Sequence, residues 1–317
     1  MNKDQPGISV GMPVYNGGRY LRLAIESVLA QSYGDFELII SDNASTDDTE
    51  ETCREYAARD SRIVYLRNAT NIGAASNYNQ LFHRSKADYF RWFNADDLSS
   101  PRLHQECLAA LQAHPGASMA YGKTALIDSD GQVTGPYEDR LNLRQESVAE
   151  RFFEFLRVVG QTNAIYGLMR KSALSATALM GSGKFPAADT VLMAELALQG
   201  KIVEIPETLF FRRMHKGASS WVRSADNVQQ NFWLGSRGRF VMPTVKRLNA
   251  LRIAIDRAPA SATEKRQMKL HVMRRMVWAR GAIAKEVWWA LMGWFSSRDE
   301  GRPVNDASLL RQPHEKR

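Results

Sequence analysis

Short apolar runs alternate with segments in which apolar residues recur every three or four positions through the first third of the chain. The runs are typical of buried strands, and the recurrent spacing is typical of amphipathic helices. The predicted strands are Ile8 to Tyr15, Phe36 to Ser41, Ile63 to Leu66 and Tyr89 to Phe93. Short connections between strands and helices predict an α/β fold with a mostly parallel sheet flanked by helices.

The alternation becomes less regular after the fourth predicted strand. A hairpin is predicted at Asp130-Gly131, and Gly167 indicates a close backbone approach within a strand. The further predicted helices are Pro101 to Gln112, Ser147 to Val159 and one that ends at Gly200; the further strands are Met119 to Tyr121, Asn163 to Met169 and Ile202 to Phe211, the last broken by Pro206.

Polar residues follow the predicted strands at their carboxyl ends: Asn16, Asp42, and Asp96 with Asp97. In parallel sheets, ligands bind at this edge. Two adjacent carboxylates repel each other, and partial burial disfavours their charged forms. A hard divalent cation such as Mg²⁺ or Mn²⁺ relieves both effects. We therefore expect Asp96 to be a ligand of a metal that holds a diphosphate; the alternative is an acidic loop that caps the helix starting at Pro101.

Backbone motifs that bind phosphate are absent from the sequence. It contains neither G-x-G-x-x-G nor G-x-x-x-x-G-K-[ST], so neither a dinucleotide fingerprint nor a P-loop is available. A metal ion is therefore the expected phosphate holder.

The length and composition limit the number of domains and indicate the cellular compartment. The 317 residues are enough for one large α/β domain and an addition. Cys53 and Cys107 both fall in predicted helices and suggest neither a disulfide framework nor a zinc site, so a reducing, cytoplasmic compartment is expected. The polar start of the chain does not resemble a signal peptide, and no apolar run is long enough to predict a transmembrane helix.

Charge divides the chain into two parts. The net charge is +8, yet residues 230–317 hold 18 Lys/Arg against 7 Asp/Glu and five of the seven tryptophans. This asymmetry predicts a main domain over residues 1–225 and a basic, Trp-rich helical extension over residues 226–317, disordered from Arg298 onward.

The extension contains one predicted helix from Gln267 to Phe295. Basic residues lie between its apolar positions, which are Met273, Met276, Val277, Ala284, Val287, Trp288, Leu291 and Phe295. Such a helix is typical of an element that lies on an anionic membrane surface. Packing against the main domain, with a solvated basic face, is an equal alternative. No nucleic-acid partner is expected, because no binding module accompanies the charge.

Seven motifs in order resemble those of the family 2 glycosyltransferases, which are nucleotide-sugar-dependent enzymes with a GT-A fold. The resemblance covers roughly residues 7–220. It rests on Pro13-Val14-Tyr15-Asn16, the segment Ser27 to Tyr33, the segment Asp42 to Asp47, Asn71-Ile72-Gly73, Asn94-Ala95-Asp96-Asp97, Gly167-Leu168-Met169-Arg170 and Arg213-Met214-His215.

The resemblance implies specific roles. Asp189 would be the catalytic base that takes the proton of the acceptor hydroxyl in an inverting transfer. Mn²⁺ or Mg²⁺ would be bound by Asp96, Asp97 and His215. The nucleoside-diphosphate sugar, of the UDP, GDP or dTDP type, would contact Pro13, Val14, Tyr15, Asn16, Asp42, Asn71, Gly73, Asn94, Ala95 and Arg213, with Arg212 an eligible neighbour.

Two positions depart from the family pattern: Asn94 replaces the first carboxylate of the D-x-D motif, and Ala188 replaces the acidic residue that often precedes the base. The expected acceptor is a surface glycan or a lipid-linked sugar, at the inner face of the cytoplasmic membrane. Two alternatives stay open: a nucleotidyltransferase, which shares the sheet and acidic site, and a non-catalytic basic protein that binds membranes or nucleic acid through a degenerate transferase domain.

Overall fold

The computed structural model describes residues 5–181, 188–215 and 242–296. Its strands are β1 (Ile8–Val14), β2 (Phe36–Asp42), β3 (Ile63–Arg67), β4 (Tyr89–Trp92), β5 (Leu98–Ser99), β6 (Ala117–Ile127), β7 (Val133–Tyr137), β8 (Leu168–Arg170) and β9 (Lys201–Arg213). Its helices are α1 (Gly18–Leu29), α2 (Thr49–Arg59), α3 (Ala74–Arg84), α4 (Leu103–Ala113), α5 (Val148–Val158), α6 (Lys171–Ser175), α7 (Ala188–Gln199), α8 (Pro243–Arg257), α9 (Ala262–Trp278) and α10 (Arg280–Ser296), with a 3₁₀ turn at Asn163–Tyr166.

All nine strands form one sheet in the order β3-β2-β1-β4-β8-β6-β9-β5, with β7 paired to β6. The pairs β3-β2, β2-β1 and β1-β4 are parallel. The short antiparallel β8 separates β4 from β6, and β6 is parallel to β9. The strands β1, β2, β4, β6 and β9 therefore all end at the same edge of the sheet.

Helices cover both faces of this sheet. One apolar cluster joins the sheet to α1, α2 and α4, and the other joins it to α3, α5, α7, α8 and α9. Every residue of β2 is buried, as expected for a central parallel strand covered on both sides. This framework fixes the edge at which the polar loops meet.

The first four predicted strands agree with the structure to within one or two residues, and the helices predicted between them are present. The Asp130-Gly131 hairpin is also confirmed, with Gly131 at φ 86°. At Gly167 an added Cβ would lie 2.5 Å from the carbonyl oxygen of Ala120, so the predicted close approach is correct.

Other predictions were wrong. Asn163 to Met169 is a 3₁₀ turn followed by the short β8, and the single helix from Gln267 to Phe295 is two helices separated at Ala279. The strand near Pro206 is not broken: β9 continues, and its pairing with β6 shifts register between Ile205 and Thr208. Helix α8 was not predicted. The segments 216–220 and 298–317, and the proposed boundary at residue 225, lie outside the described residues.

The C-terminal helices pack on the rest of the molecule. Leu248, Leu251 and Ile255 of α8, with Met268 and Val272 of α9, are buried in the same apolar cluster as α5 and α7. In the part of the chain that the structure describes, no helix is both long enough and apolar enough to span a membrane.

Candidate active site

Asp96 and His215 meet at the carboxyl edge of the sheet. Asp96 follows β4 and His215 follows β9, and the His215 Nε2 atom lies 3.0 Å from an Asp96 carboxylate oxygen. Their side chains are 31% and 18% exposed, so both are partly open to solvent. A carboxylate oxygen and an imidazole nitrogen are thus adjacent, and both are common ligands of divalent metals.

Tyr20, in the first turn of α1, supports this pair. Its ring centroid lies 4.9 Å from the His215 ring and 4.6 Å from the Arg213 guanidinium carbon. The cation and the imidazole therefore both pack on one aromatic side chain. None of the sequence motifs includes Tyr20.

Asp97 is turned inward, unlike its neighbour Asp96. It is 2% exposed, and one carboxylate oxygen accepts from the Arg213 backbone N–H at 2.8 Å. The other oxygen accepts from the Asn94 amide at 3.2 Å. Burial, together with the charge of Asp96, raises the pKa of the Asp97 carboxyl well above its ordinary value. These contacts fix the end of β9 against the acidic turn and leave Asp97 poorly placed to bind a metal.

Asn94 joins three side chains. Its amide nitrogen also donates to the Tyr166 hydroxyl at 2.6 Å, and its oxygen accepts from the Tyr78 hydroxyl at 2.5 Å. An aspartate at this position could not donate to Asp97 or Tyr166. The amide that replaces the first carboxylate of the motif thus fits a hydrogen-bonding position inside the turn. Ala95 is partly buried beside it.

The Arg213 side chain points into the protein. It is 2% exposed, and its guanidinium donates to the backbone carbonyl of Asp96 at 2.9 Å and to that of Asp128 at 3.0 Å. The predicted diphosphate contact would require these bonds to rearrange. Its neighbour Arg212 is less buried and donates to Asn163. Arg212 is therefore better placed than Arg213 to contact a diphosphate.

The loops after β1 and β2 are joined by hydrogen bonds. The Asn16 backbone N–H donates to the Ser45 hydroxyl at 2.8 Å, and the Asn16 side chain accepts from the Thr46 N–H at 2.9 Å. Asn16 adopts φ 52°, in the left-handed region that asparagine tolerates better than most residues. Tyr15, which precedes it, is 48% exposed, whereas Val14 is buried and Pro13 partly so.

Asp42 is fully buried and has several partners. Its carboxylate accepts from the Ser45 N–H and the Tyr65 hydroxyl, both at 2.8 Å, and pairs with Arg67. Burial alone would raise the pKa of Asp42, but the hydrogen bonds from Ser45, Tyr65 and Arg67 outweigh it and hold the pKa below its ordinary value. The predicted contact of Asp42 with a base or ribose stays a prediction.

Asn71 and Gly73 lie beside the same loop. The Asn71 side-chain oxygen accepts from the Asn43 amide and from the Gly73 N–H, each at 2.9 Å. Gly73 adopts φ 81° at the start of α3, a conformation that favours glycine. These contacts place the Asn71-Ile72-Gly73 turn next to the loop after β2.

Asp189 lies in the first turn of α7. One carboxylate oxygen accepts from the Thr162 hydroxyl at 2.9 Å, and the other accepts from the Thr190 backbone N–H at 2.8 Å. The side chain is partly exposed. Because Arg212 of β9 contacts Asn163, which follows Thr162, Asp189 is linked through this turn to the strand that bears His215.

The structure therefore brings most of the predicted residues to one edge of the sheet. The start of α1 contacts both the loop region after β2 and the Asp96–His215 pair. The N–H of Gly17, just before α1, donates to the hydroxyl of Thr49 at the start of α2 at 2.8 Å, and Tyr20 of α1 packs on His215. Within the described ranges, no three carboxylate, imidazole or thiol groups converge on one point as a metal site. A metal here would need Asp96, His215 and ligands from outside the protein.

A model of the family described as glycosyl transferase family 2 matches residues 9–174, more than half of the chain. The chain belongs to the family 2 glycosyltransferases. The match includes the loops after β1, β2 and β4 and ends before Asp189, Arg213 and His215.

Curated relatives resemble part of this glycosyltransferase-family chain. The protein EpsE of Bacillus subtilis, provisionally named a glycosyltransferase, is 42% identical over 110 residues, which are 34% of this chain and 40% of EpsE. An uncharacterised glycosyltransferase of Haemophilus influenzae is 34% identical over 129 residues, or 40% of this chain and 51% of that protein. The matches thus span about half or less of these relatives.

Solved structures share the fold at low sequence identity. Staphylococcus aureus TarS 1–349 in complex with UDP-GlcNAc has a TM-score of 0.59 and 14% identity, and the match covers 85% of this chain and 72% of the TarS 1–349 chain. The mannosyltransferase PcManGT of Pyrobaculum calidifontis, in complex with GDP-Man and Mn²⁺, has a TM-score of 0.50 and 15% identity, covering 92% and 85%. The predicted GT-A fold of this family 2 member is confirmed.

Sequence reasoning missed several residues at the site of this family 2 member. Tyr78, Tyr166 and Thr162 hold Asn94 and Asp189, and Arg67 holds Asp42. Each lies far along the chain from its partner, and no local spacing relates them. Only Arg67 offered a signal, because a cation at the end of the strand next to β2 can reach a carboxylate there.

Proposed function

We propose that this chain transfers a sugar from a nucleoside-diphosphate sugar to an acceptor hydroxyl. The observation that carries the proposal is the Asp96–His215 pair, 3.0 Å apart at the carboxyl edge of the sheet. The loops after β1 and β2 reach the same edge, and helix α1 joins them to the pair. A donor bound across these loops would present its diphosphate to Asp96 and His215.

The donor would bind with its nucleoside over the loops after β1 and β2. Tyr15 offers an exposed ring on which a base can stack, and Asn16 offers a polar side chain at the rim. Nucleoside diphosphates of the UDP, GDP or dTDP type all fit this description. The complexes of TarS with UDP-GlcNAc and of PcManGT with GDP-Man support a nucleotide-sugar donor.

Mn²⁺ or Mg²⁺ is the proposed cofactor, held by Asp96 and His215. Such ions are often bound by few protein ligands, together with water and substrate phosphates, so two adjacent groups are sufficient. When bound, the ion would supply stabilisation of the negative charge on the departing diphosphate. Asp97 is omitted from the proposed ligands, because both its oxygens already accept hydrogen bonds from the protein.

Asp189 is the proposed general base of an inverting transfer. The acceptor oxygen forms its bond to the anomeric carbon while the bond from that carbon to the diphosphate oxygen breaks, and the proton of the hydroxyl passes to Asp189. The Thr162 hydroxyl, 2.9 Å away, donates to one carboxylate oxygen and so orients the proposed base.

The acceptor would be a surface glycan or a lipid-linked sugar, reached from the cytoplasmic side of a membrane. The two cysteines, Cys53 and Cys107, are unpaired and buried, which suits a reducing compartment. A peripheral position at the membrane would bring the site close to a lipid-linked substrate.

Hydrolysis of a panel of nucleotide sugars, with Mn²⁺, Mg²⁺ or a chelator, tests the proposal. We expect slow, metal-dependent release of one nucleoside diphosphate, lost in Asp96→Ala. Calorimetry with UDP, GDP and dTDP in the presence of Mn²⁺ identifies the base. Absence of both hydrolysis and nucleotide binding across the whole panel would overturn the proposed activity.

A further inference from the structure

Helix α9 has a face that is packed against the catalytic part of the protein. Glu264 accepts from the Ser147 hydroxyl at 3.0 Å, at the start of α5, and Arg275 donates to the Leu156 carbonyl at 2.7 Å, near the end of α5. Met268 and Val272, between them on the same side, are 0% and 2% exposed. This face alone fixes α9 along the length of α5.

The opposite face of α9 is exposed. Leu270, Met273 and Val277 are 45%, 57% and 59% exposed, although all three are large apolar residues. Because each residue turns by about 100° around a helix, these three share one side, roughly opposite Met268 and Val272. Arg266 and Arg274 lie on the same side and are exposed. We call these five residues the exposed stripe.

Exposed apolar side chains are concentrated in the C-terminal helices. Of the thirteen large apolar side chains that are exposed in the described residues, eight lie between Ile253 and Trp288. Leu270, Met273 and Val277 are neighbours on one face of α9, and soluble proteins rarely expose large contiguous apolar patches without a function. Since the buried face already joins α9 to the protein, the fold does not require the stripe to be apolar.

Charge indicates the partner. Residues 242–296 contain 11 Lys/Arg and 3 Asp/Glu, so the partner should be acidic. A symmetric dimer formed through the stripe would bring Arg266 and Arg274 of both copies together, which like charge disfavours. An anionic lipid surface meets both requirements, because headgroups attract the cations and the acyl boundary accepts the apolar side chains.

We propose that the exposed stripe docks on an anionic lipid surface, with α9 lying in the plane of the interface and its opposite face still packed on α5. This assignment joins two arrangements that the sequence left as alternatives, since one helix packs on the protein with one face and offers the other to lipid. It goes beyond sugar transfer and does not depend on it.

Vesicle flotation of the full chain tests the proposal. The probes are vesicles of phosphatidylcholine alone and of phosphatidylcholine mixed with phosphatidylglycerol. We expect the protein to float with the mixed vesicles, to detach in part at high salt, and to remain in solution with phosphatidylcholine alone. Equal binding to both vesicle types, or to neither, would overturn it.

Two matched pairs of variants locate the surface. Arg266→Glu with Arg274→Glu removes two cations of the stripe, and Arg84→Glu with Lys86→Glu makes the same change at an exposed site remote from α9. At about 1 kcal/mol per cation, the first pair should weaken partitioning at least about thirtyfold, and the second far less. Similar losses in both pairs would mean that only net charge matters and would contradict the assignment.

The apolar contribution is tested in the same way. Leu270→Gln with Met273→Gln should release the protein from mixed vesicles, whereas Leu23→Gln with Val64→Gln, at exposed apolar sites elsewhere, should not. Light scattering gives the oligomeric state of each variant. If the stripe variants instead convert a dimer to a monomer, the stripe is a subunit interface and the proposal fails.

A final measurement separates this proposal from the proposed activity. Nucleotide-sugar hydrolysis without vesicles should be the same in the stripe variants and the parent chain. Loss of vesicle binding with unchanged hydrolysis supports the stripe independently. A parent chain that floats but never hydrolyses any donor would leave the docking surface in place and overturn only the transferase proposal.

Discussion

Asp96 and Asp189, the two carboxylates proposed to act in sugar transfer, are held by different numbers of contacts. Asp96 lies in a turn fixed by contacts from α1, β9 and the turn after β6, through Tyr20, His215 and Arg213. Asp189 is held by one hydroxyl, that of Thr162, and by its own helix. A binding group benefits from rigid support, whereas a base that receives a proton needs correct reach to the acceptor. Substitutions of Asp96 and of Asp189 should therefore separate donor binding from turnover.

Asp189→Asn should have the largest effect. The amide keeps the size of the side chain but cannot accept a proton, so we expect turnover to fall by roughly 10²–10⁴ with donor affinity almost unchanged. Steady-state transfer rates and calorimetry of the donor measure the two quantities. Glu154→Gln, at a partly exposed position of α5 where the carboxylate pairs with Arg157, is the control for loss of a carboxylate. A fall in turnover below about tenfold would show that Asp189 only caps α7.

Asp139 should make the stability of the protein depend on pH. Burial raises the pKa of the Asp139 carboxyl to about 7, against the opposing effect of the Ala164 and Asn163 backbone N–H groups in the turn that holds Thr162. In the unfolded chain its pKa is about 3.9, so the folded state binds more protons between these values. Stability should therefore fall as pH rises through this window, by about 1.4 kcal/mol per unit at most, and level off above it.

Asp139→Asn tests this dependence. The amide stays neutral, so the variant should be more stable than the parent chain above pH 7, and the difference should shrink towards pH 4. Denaturant unfolding at a series of pH values measures both. A parallel pH dependence in the two proteins would mean that Asp139 is not the group responsible.

Asp96→Ala should weaken Mn²⁺-dependent nucleotide binding by on the order of a hundredfold, because it removes a proposed ligand and leaves His215 alone. Asp97→Asn is the informative comparison: its oxygen can still accept from the Arg213 N–H, so metal-dependent binding should be retained. Calorimetry with and without Mn²⁺ measures both variants. Equal losses would show that Asp97 also binds the metal.

The sequence predicted the position of Asp96 better than it predicted the contacts that hold Asp96 in place. Strands β1, β2 and β4 are short apolar runs that end in polar residues, so their common edge follows from the strand–helix alternation, whereas their order does not. The burial of Arg213 does not follow, because its acceptors are backbone carbonyls after β4 and β6. An arginine near a predicted diphosphate was naturally assigned to it. Only the tertiary structure shows that the Arg213 guanidinium already donates hydrogen bonds to backbone carbonyls within the protein.

Segments without a distinctive period were predicted least well. Residues 164–166 are apolar over too short a length to distinguish a strand from a helical turn, and β5 has two residues, defined by its pairing with β9. Helix α8 could have been found, because Leu248, Leu251 and Ile255 recur at helical spacing and are buried. The break at Ala279 has no such signal, since neither glycine nor proline occupies it.

Substitution of Tyr20 should have the smallest effect of these changes, and it tests whether α1 positions His215. Its ring contacts both His215 and Arg213, and each contact is worth about 0.5–1.5 kcal/mol. Tyr20→Leu should therefore weaken Mn²⁺-dependent nucleotide binding about tenfold, whereas Tyr20→Phe should retain it because the ring is kept. NMR gives a readout that does not require the metal: the ring protons of His215, assigned through His215→Asn, should lose their ring-current shift in Tyr20→Leu and keep it in Tyr20→Phe. Unchanged shifts in Tyr20→Leu would show that His215 is positioned by Asp96 alone, and that the rigid end of the site does not depend on α1.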